Sequence, residues 1–301
     1  MGAVKAKSSQ SCISVIVDDA TSAEAVLRWA LHQAGRRDSR VDVLYLPAFR
    51  CGDGPILDPG MLEQGQKELT ASLDYLGAGS RATVYTPDPE KWTAEAIRAK
   101  ALKEPDGLVV VGPLDTNSLV SLVFGSGLHG AGGAALPLVV VPRSAWATPP
   151  ARSTPARLTV GFHGSDPAVD TLAWAVTEAE RRNGVVRAVM AWSEGDYGGL
   201  GGPVAIAVTP STLVGRSAQQ LVADSLSRCG VPTDRVSAVA RRGMPSSILI
   251  REAVGSDLLA IGAGRAAVHG HRTLGAVTLA CVTRSPVPVV IIPGHGRGDS
   301  R

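Results

Sequence analysis

Short runs of valine, isoleucine and leucine recur along the chain, and stretches with apolar residues at helical spacing separate them. A continuous apolar run bounded by turn residues reads as a strand buried on both faces, and a return every three or four positions reads as an amphipathic helix. In the N-terminal half the strand-like runs are CISVIV (12–17), VDVLYL (41–46), RATVYT (81–86), GLVVVG (107–112) and PLVVVP (137–142). Between them, Ser22 is placed to cap a helix carrying Val26, Leu27, Ala30 and Leu31 on one face. A turn at Asp58-Pro59-Gly60 precedes a helix over 61–76, and another helix covers 91–102. After strand four a loop and then a short helix from about Ser126 are expected. The C-terminal half repeats the alternation, with strands at 157–162, 185–192, 235–242, 258–262 and 287–292. Its helices are predicted over 167–182, 210–228, 245–254 and 275–283.

The two halves share more than a rhythm. SVIVDDATSAEAVLRWA, from Ser14 to Ala30, answers TVGFHGSDPAVDTLAWA, from Thr159 to Ala175, and Trp29 and Trp174 stand 145 residues apart. Gly112 matches Gly262 and Gly125 matches Gly275, each pair 150 residues apart. Solenoid units repeat every ~20–50 residues, so a period of this length marks whole domains. The expected fold is α/β, with two tandem doubly wound domains. Each is a five-stranded parallel sheet with helices on both faces, Rossmann-like and flavodoxin-like in style. The repeat places domain 1 at 1–142, a Pro/Ser/Arg-rich linker at 143–157 and domain 2 at 158–301. Both tryptophans are read as core residues of the first helix of each half.

Composition narrows the classes. At 301 residues, 45% hydrophobic and 19% charged, the chain is that of a globular protein rather than a disordered one. No apolar run reaches the ~18 residues of a membrane span, and the N-terminus has no signal-like apolar core. The four cysteines are scattered with no Cys-x-x-Cys pair, which favours reduced thiols in a cytoplasm. A net charge of +3 without a Lys/Arg cluster gives no footprint for nucleic acid. The abundance of Ala, Gly and Arg suggests a GC-rich bacterial genome.

In doubly wound sheets, ligands bind beyond the carboxyl ends of the strands at the switch in strand order, here the ends of strands one and four. Strand one ends at Asp18 in the first half and at His163 in the second; strand four ends at Gly112 and Gly262. Glycines there let backbone amides approach a phosphate, although any tight turn also favours glycine. The surroundings differ in sign. Asp18, Asp19 and Asp115 crowd the first site, and His163, Arg265, His269, His271 and Arg272 the second. A phosphate site in the second half and a merely solvated basic loop both account for that cluster. His269-x-His271 lacks a third metal ligand at a recognisable spacing. GDYGGLGG, from Gly195 to Gly202, reads as a flap over the site.

The paired landmarks resemble the universal stress protein family. Its pattern is an opening strand ending in Val-Asp-Gly-Ser, a helix ending near Trp-Ala, and a late Gly-x2-Gly-x9-Gly-Ser/Thr segment before Pro-Val-Val-Val. The resemblance spans nearly the whole chain and implies an adenine nucleotide, ATP first, as ligand. It implies a site of Asp18, Leu46, Val111, Gly112, Gly125 and Ser126 in the first half. In the second half it implies His163, Ala191, Ile261, Gly262, Arg265, Gly275 and Thr278. Departures from the pattern are Asp115 and Arg265 at the second motif glycine, Ala276 at the hydroxyl position and His163 for the strand-one aspartate. The resemblance further implies pairing of domains through their last strands, inside the chain or in a homodimer. The expected role is a cytoplasmic stress-response or regulatory protein, not a dedicated enzyme. Slow nucleotide hydrolysis would require a metal and a positioned water, for which the sequence supplies no convincing ligands. The alternative is a degenerate scaffold that acts only through protein contacts.

Overall fold

A computed structural model describes residues 11–47, 59–85, 94–104, 107–124, 136–145, 155–192, 211–228, 234–264, 266–268 and 271–294. The chain separates into two compact units, Met1–Ser126 and Gly127–Arg301.

The first unit alternates strand and helix: β1 (Cys12–Val17), α1 (Glu24–Arg37), β2 (Arg40–Tyr45), α2 (Pro59–Tyr75), β3 (Ala82–Tyr85), α3 (Ala94–Lys103), β4 (Leu108–Val111) and α4 (Thr116–Phe124). Its strands lie in the order β3-β2-β1-β4, all parallel, with Val15 opposite both Val43 and Val110. Every residue of β1 and β4 is buried, so both faces of the sheet are covered. Each fully buried Val, Ile or Leu contributes roughly 1.5–3 kcal/mol relative to exposure, which is why the continuous apolar runs became central strands.

The second unit holds β5 (Leu138–Val140), β6 (Arg157–Gly161), α5 (Asp166–Arg181), β7 (Val185–Trp192), α6 (Ser211–Arg228), β8 (Val236–Arg242), α7 (Pro245–Glu252) and β9 (Leu258–Gly262). It continues with β10 (Ala266–Val268), β11 (His271–Thr273), α8 (Ala276–Arg284) and β12 (Val289–Ile292). Strands β12-β9-β6-β7-β8 run parallel in that order. Numbered within the repeat this is 3-2-1-4-5, read from β8. It is the Rossmann order rather than the 2-1-3-4-5 of flavodoxin. The direction of winding reverses between β6 and β9, so the switch point lies at the ends of the first and fourth strands of the repeat.

Strand β5, last in the first repeat, lies in the second unit and pairs antiparallel with β12, Val140 opposite Val289 and Leu138 opposite Ile291. The two proline-ended apolar strands thus pair with each other, and all the residues in this pairing are at most 1% exposed.

Three local expectations change. Ser22 does not cap α1. The chain first makes a 3-10 turn over Ala20–Ser22 capped by Asp19, Ser22 donates to the Asp19 carbonyl at 3.4 Å, and α1 starts at Glu24. Trp29 is buried, but Trp174 is only half-buried. The segment after β4 is helix rather than loop, because α4 begins at Thr116; the helix expected from Ser126 lies outside the described residues.

Candidate functional site

Parallel pairing brings the ends of neighbouring strands to one edge. In the first unit Leu46 donates its amide to the Val17 carbonyl at 2.8 Å, and Val111 lies opposite Ile16. Asp18, Leu46, Val111 and Gly112 therefore meet at the carboxyl edge of β1, β2 and β4. Asp18 is exposed there, while Leu46, Val111 and Gly112 are buried. Gly125 and Ser126 lie outside the described residues.

Asp115, three positions beyond Gly112, is a helix cap. Its Oδ1 accepts the amides of Asn117 at 2.9 Å and Ser118 at 3.0 Å, and its Oδ2 accepts the Ser118 hydroxyl at 2.6 Å. Burial pushes the Asp115 pKa up, but these donors outweigh it and hold the carboxyl below its usual value. At the other end of α4 the buried Arg98 donates to the carbonyls of Leu122, at 2.6 Å, and Val123. Desolvation lowers the pKa of that guanidinium, with Glu95 acting against it. A helix N-terminus attracts anions through its unpaired amides. At α4 the anion is the chain's own carboxylate.

The equivalent stretch of the second unit folds differently. Thirteen positions separate Gly112 from Gly125 and Gly262 from Gly275 alike, yet the second interval carries the antiparallel β10–β11 hairpin, with Val268 opposite His271. Asp115, Ser118, Leu119, Leu122 and Val123 combine a cap with helical apolar spacing, whereas AAVHGHRT alternates around a central glycine.

The hairpin starts and ends at a close approach. Gly264 has φ +82°, and a Cβ built on it would stand 3.0 Å from the Gly275 Cα and 3.1 Å from its nitrogen. Gly275 donates its amide to the Ala263 carbonyl at 3.0 Å and serves as N-cap of α8. Thr278, 2% exposed, donates its hydroxyl to the Gly262 carbonyl at 2.9 Å. Strand β9 and helix α8 are thereby tied across Gly262, Gly264, Gly275 and Thr278. Among the described residues no side chain caps α8, and its first turn holds no acidic residue.

His163 follows β6, exposed, with Nε2 3.0 Å from the Ser165 hydroxyl. Desolvation by its immediate surroundings lowers the imidazole pKa despite that exposed edge. Ser165 is the N-cap residue of α5 and makes no side-chain cap bond, its hydroxyl lying at His163 instead. Ile261 is buried in β9, and Ala191, near the end of β7, is half-buried. Arg265, His269 and the 195–202 segment lie outside the described residues, as do the side chains of His271 and Arg272. Among the described residues, no group of three His, Cys, Asp or Glu is placed to hold a metal ion, and no helix is long and apolar enough to cross a membrane. Cys281 is fully buried, and burial pushes its thiol up to about 12, with Arg284 acting against it.

Sequence reasoning missed Gly264. Its signal was the doubled glycine of Gly262-Ala263-Gly264, one position before the arginine that breaks the Gly-x2-Gly spacing.

Comparison with known proteins places these observations. Residues 156–293 match the model of the universal stress protein family. The chain is similar in structure to a universal stress protein from Archaeoglobus fulgidus, with 15% identity and a TM-score of 0.58. That match covers 96% of this chain and 98% of the other. It is also similar to a proposed universal stress protein from Pseudomonas aeruginosa, with 12% identity and a TM-score of 0.55, covering 95% and 94% of the two chains. At these identities the likeness is one of fold. No curated protein matches the chain.

Proposed function

We propose, from the match of residues 156–293 to the universal stress protein family model, that the chain is a stress-response or regulatory protein that binds an adenine nucleotide, ATP in the first place, in its second unit. The observation that carries this reading is the N-terminus of α8, which among the described residues has no side-chain cap, and which has no acidic first-turn residue. It lies beside the Gly264–Gly275 approach, which seats the start of α8 against the end of β9, and a helix N-terminus favours a phosphate there. These residues fit the group. The amides at the start of α8 would hold phosphate oxygens, and Thr278 keeps α8 registered on β9 through the Gly262 carbonyl. His163, at the adjacent strand end, adds a group that becomes cationic as pH falls. Arg265, next in sequence to Gly264, would supply a charge-assisted contact in place of the lost motif glycine.

The first repeat is a second domain of the same kind in this reading, but without the same ligand. Asp115 already fills the N-terminus of α4, and its carboxylate would repel a phosphate there. The first repeat therefore acts as a scaffold, and nucleotide binding is confined to the second. Binding proceeds without dedicated catalysis, in the cytoplasm.

The test is to purify the protein natively, denature it and identify any released nucleotide by mass spectrometry, alongside calorimetric titration with ATP. Recovered adenine nucleotide, or ATP binding that Arg265→Glu abolishes, is the expected result. An empty protein that also fails to bind ATP overturns the proposal and leaves the scaffold role for both halves.

A further inference from the structure

The first unit has a cavity at the edge opposite to its strand carboxyl ends. Helix α1 ends just before β2 begins, and the turn after α2 ends just before β3 begins, so both lie at the amino edge of the sheet. Between them is a cavity of about 280 Å³ lined by Arg28, Leu31, His32, Leu76, Ala78 and Arg81. Ligand pockets start at roughly 300 Å³, so this one suits a ring-sized molecule.

The far wall is rigid for a definite reason. Gly77, at φ +69°, closes α2, with its amide donating to the Asp74 carbonyl at 3.0 Å and the Ala78 amide to the Leu73 carbonyl at 2.9 Å. This pair of bonds is the Schellman arrangement, and it turns the chain so that Ala78 and Arg81 come back toward α1. Arg81 then lies across α1 at Gly35, where an added Cβ would stand 3.3 Å from its Nη1.

The polar groups are unevenly matched. Arg28 is paired with Glu24, one helical turn away. The Gln33 side-chain nitrogen sits 3.3 Å from His32 Nδ1. The Arg81 guanidinium makes no hydrogen bond or ion pair among the described residues. One uncommitted guanidinium beside Leu31 and Leu76 matches one negative charge on an apolar body. Its planar fork suits a carboxylate, which it can meet with two parallel bonds.

We propose that this cavity is a binding site for a small organic carboxylate with an apolar body, anchored by Arg81. It is independent of the nucleotide site, because it lies in the other unit and at the opposite sheet edge.

The full chain would be titrated with sodium benzoate at constant ionic strength, using calorimetry and amide chemical shifts, with benzyl alcohol and inorganic phosphate as comparators. Saturable one-site benzoate binding is expected, with shifts at Leu31, Leu76 and Ala78. Benzyl alcohol should bind about tenfold or more weakly, and Arg81→Gln should weaken benzoate by about the same factor. Ala78→Leu, which fills the cavity, should abolish binding while both variants keep the wild-type unfolding midpoint. Absence of saturable benzoate binding overturns the proposal, as does binding that survives both substitutions. Equal binding of the alcohol removes the anchoring role of Arg81, and binding of phosphate but not benzoate overturns the carboxylate assignment.

Discussion

Gly264 lies so close to Gly275 that a Cβ on the first would sit 3.0 Å from the Cα of the second. Eleven positions of sequence and a whole hairpin separate the two. Their contact sets the start of α8 against the end of β9, at the switch point where doubly wound sheets bind ligands.

Replacing Gly264 by alanine should cost more than its backbone strain. At φ +82° an L-residue is strained by roughly 1–2 kcal/mol, and here the methyl also meets Gly275 backbone atoms at 3.0 and 3.1 Å, tighter than ordinary contact. Gly77→Ala isolates the first effect, since Gly77 has φ +69° but open space around it. Urea unfolding should show Gly264→Ala destabilised beyond Gly77→Ala by about 1 kcal/mol or more. Equal losses would mean that the approach to Gly275 is not tight. Nucleotide binding, if it resides at α8, should fall in Gly264→Ala and not in Gly77→Ala.

Thr278 has a positioning role that a conservative pair of variants can isolate. Thr278→Val removes the donor that satisfies the Gly262 carbonyl in a buried setting and should cost about 1–3 kcal/mol. Thr278→Ser keeps the hydroxyl and should lose measurably less. Chemical denaturation of both decides it, with equal loss implicating packing rather than the hydrogen bond.

Asp115 should make part of the stability of the first unit dependent on pH. Its folded carboxyl titrates below the usual value, so the unfolded chain takes up the proton first. The contribution is therefore fully present above the ordinary aspartate value and is lost as pH falls through the lower folded value. Asp115→Ala should cost about 1 kcal/mol at neutral pH. The wild-type and variant unfolding curves should converge under strongly acidic conditions, and a gap that persists there would exclude the capping carboxylate as its source.

His163 should make nucleotide affinity rise as pH falls. Desolvation depresses the imidazole pKa, so the free protein holds it neutral at pH 7, and a bound phosphate would favour its charged form. Without ligand the sign for stability is the reverse. The unfolded chain binds the proton more readily, so stability declines as pH drops below the ordinary histidine value. ATP titrations across this range should show a steeper rise in wild type than in His163→Asn, the proton uptake of the ATP phosphate itself being common to both; parallel profiles would remove His163 from the proposed site.

The alternation of buried strands and amphipathic helices was legible because it depends on neighbours in sequence. VVRAVMAW and LLAIG became β7 and β9 with the predicted bounds. The internal repeat likewise announced two copies of one α/β design, and the switch-point rule identified the strand ends where Gly262 and His163 lie. Other features depended on partners distant in the chain. The start of α4 is capped locally by Asp115, but its far end is held by Arg98 from another helix. Arg98 is 24 residues from the carbonyl of Leu122 that it caps. Strand β5 closes the first repeat in sequence, and one of its apolar edges is satisfied by β12 about 150 residues later. Gly264 mattered only once Gly275 lay against it. Local pattern determined which segments are strands and helices, and placed the Asp115 cap on α4; hydrogen bonds and close contacts between remote residues decided how α8 is seated on β9 and which strands pair.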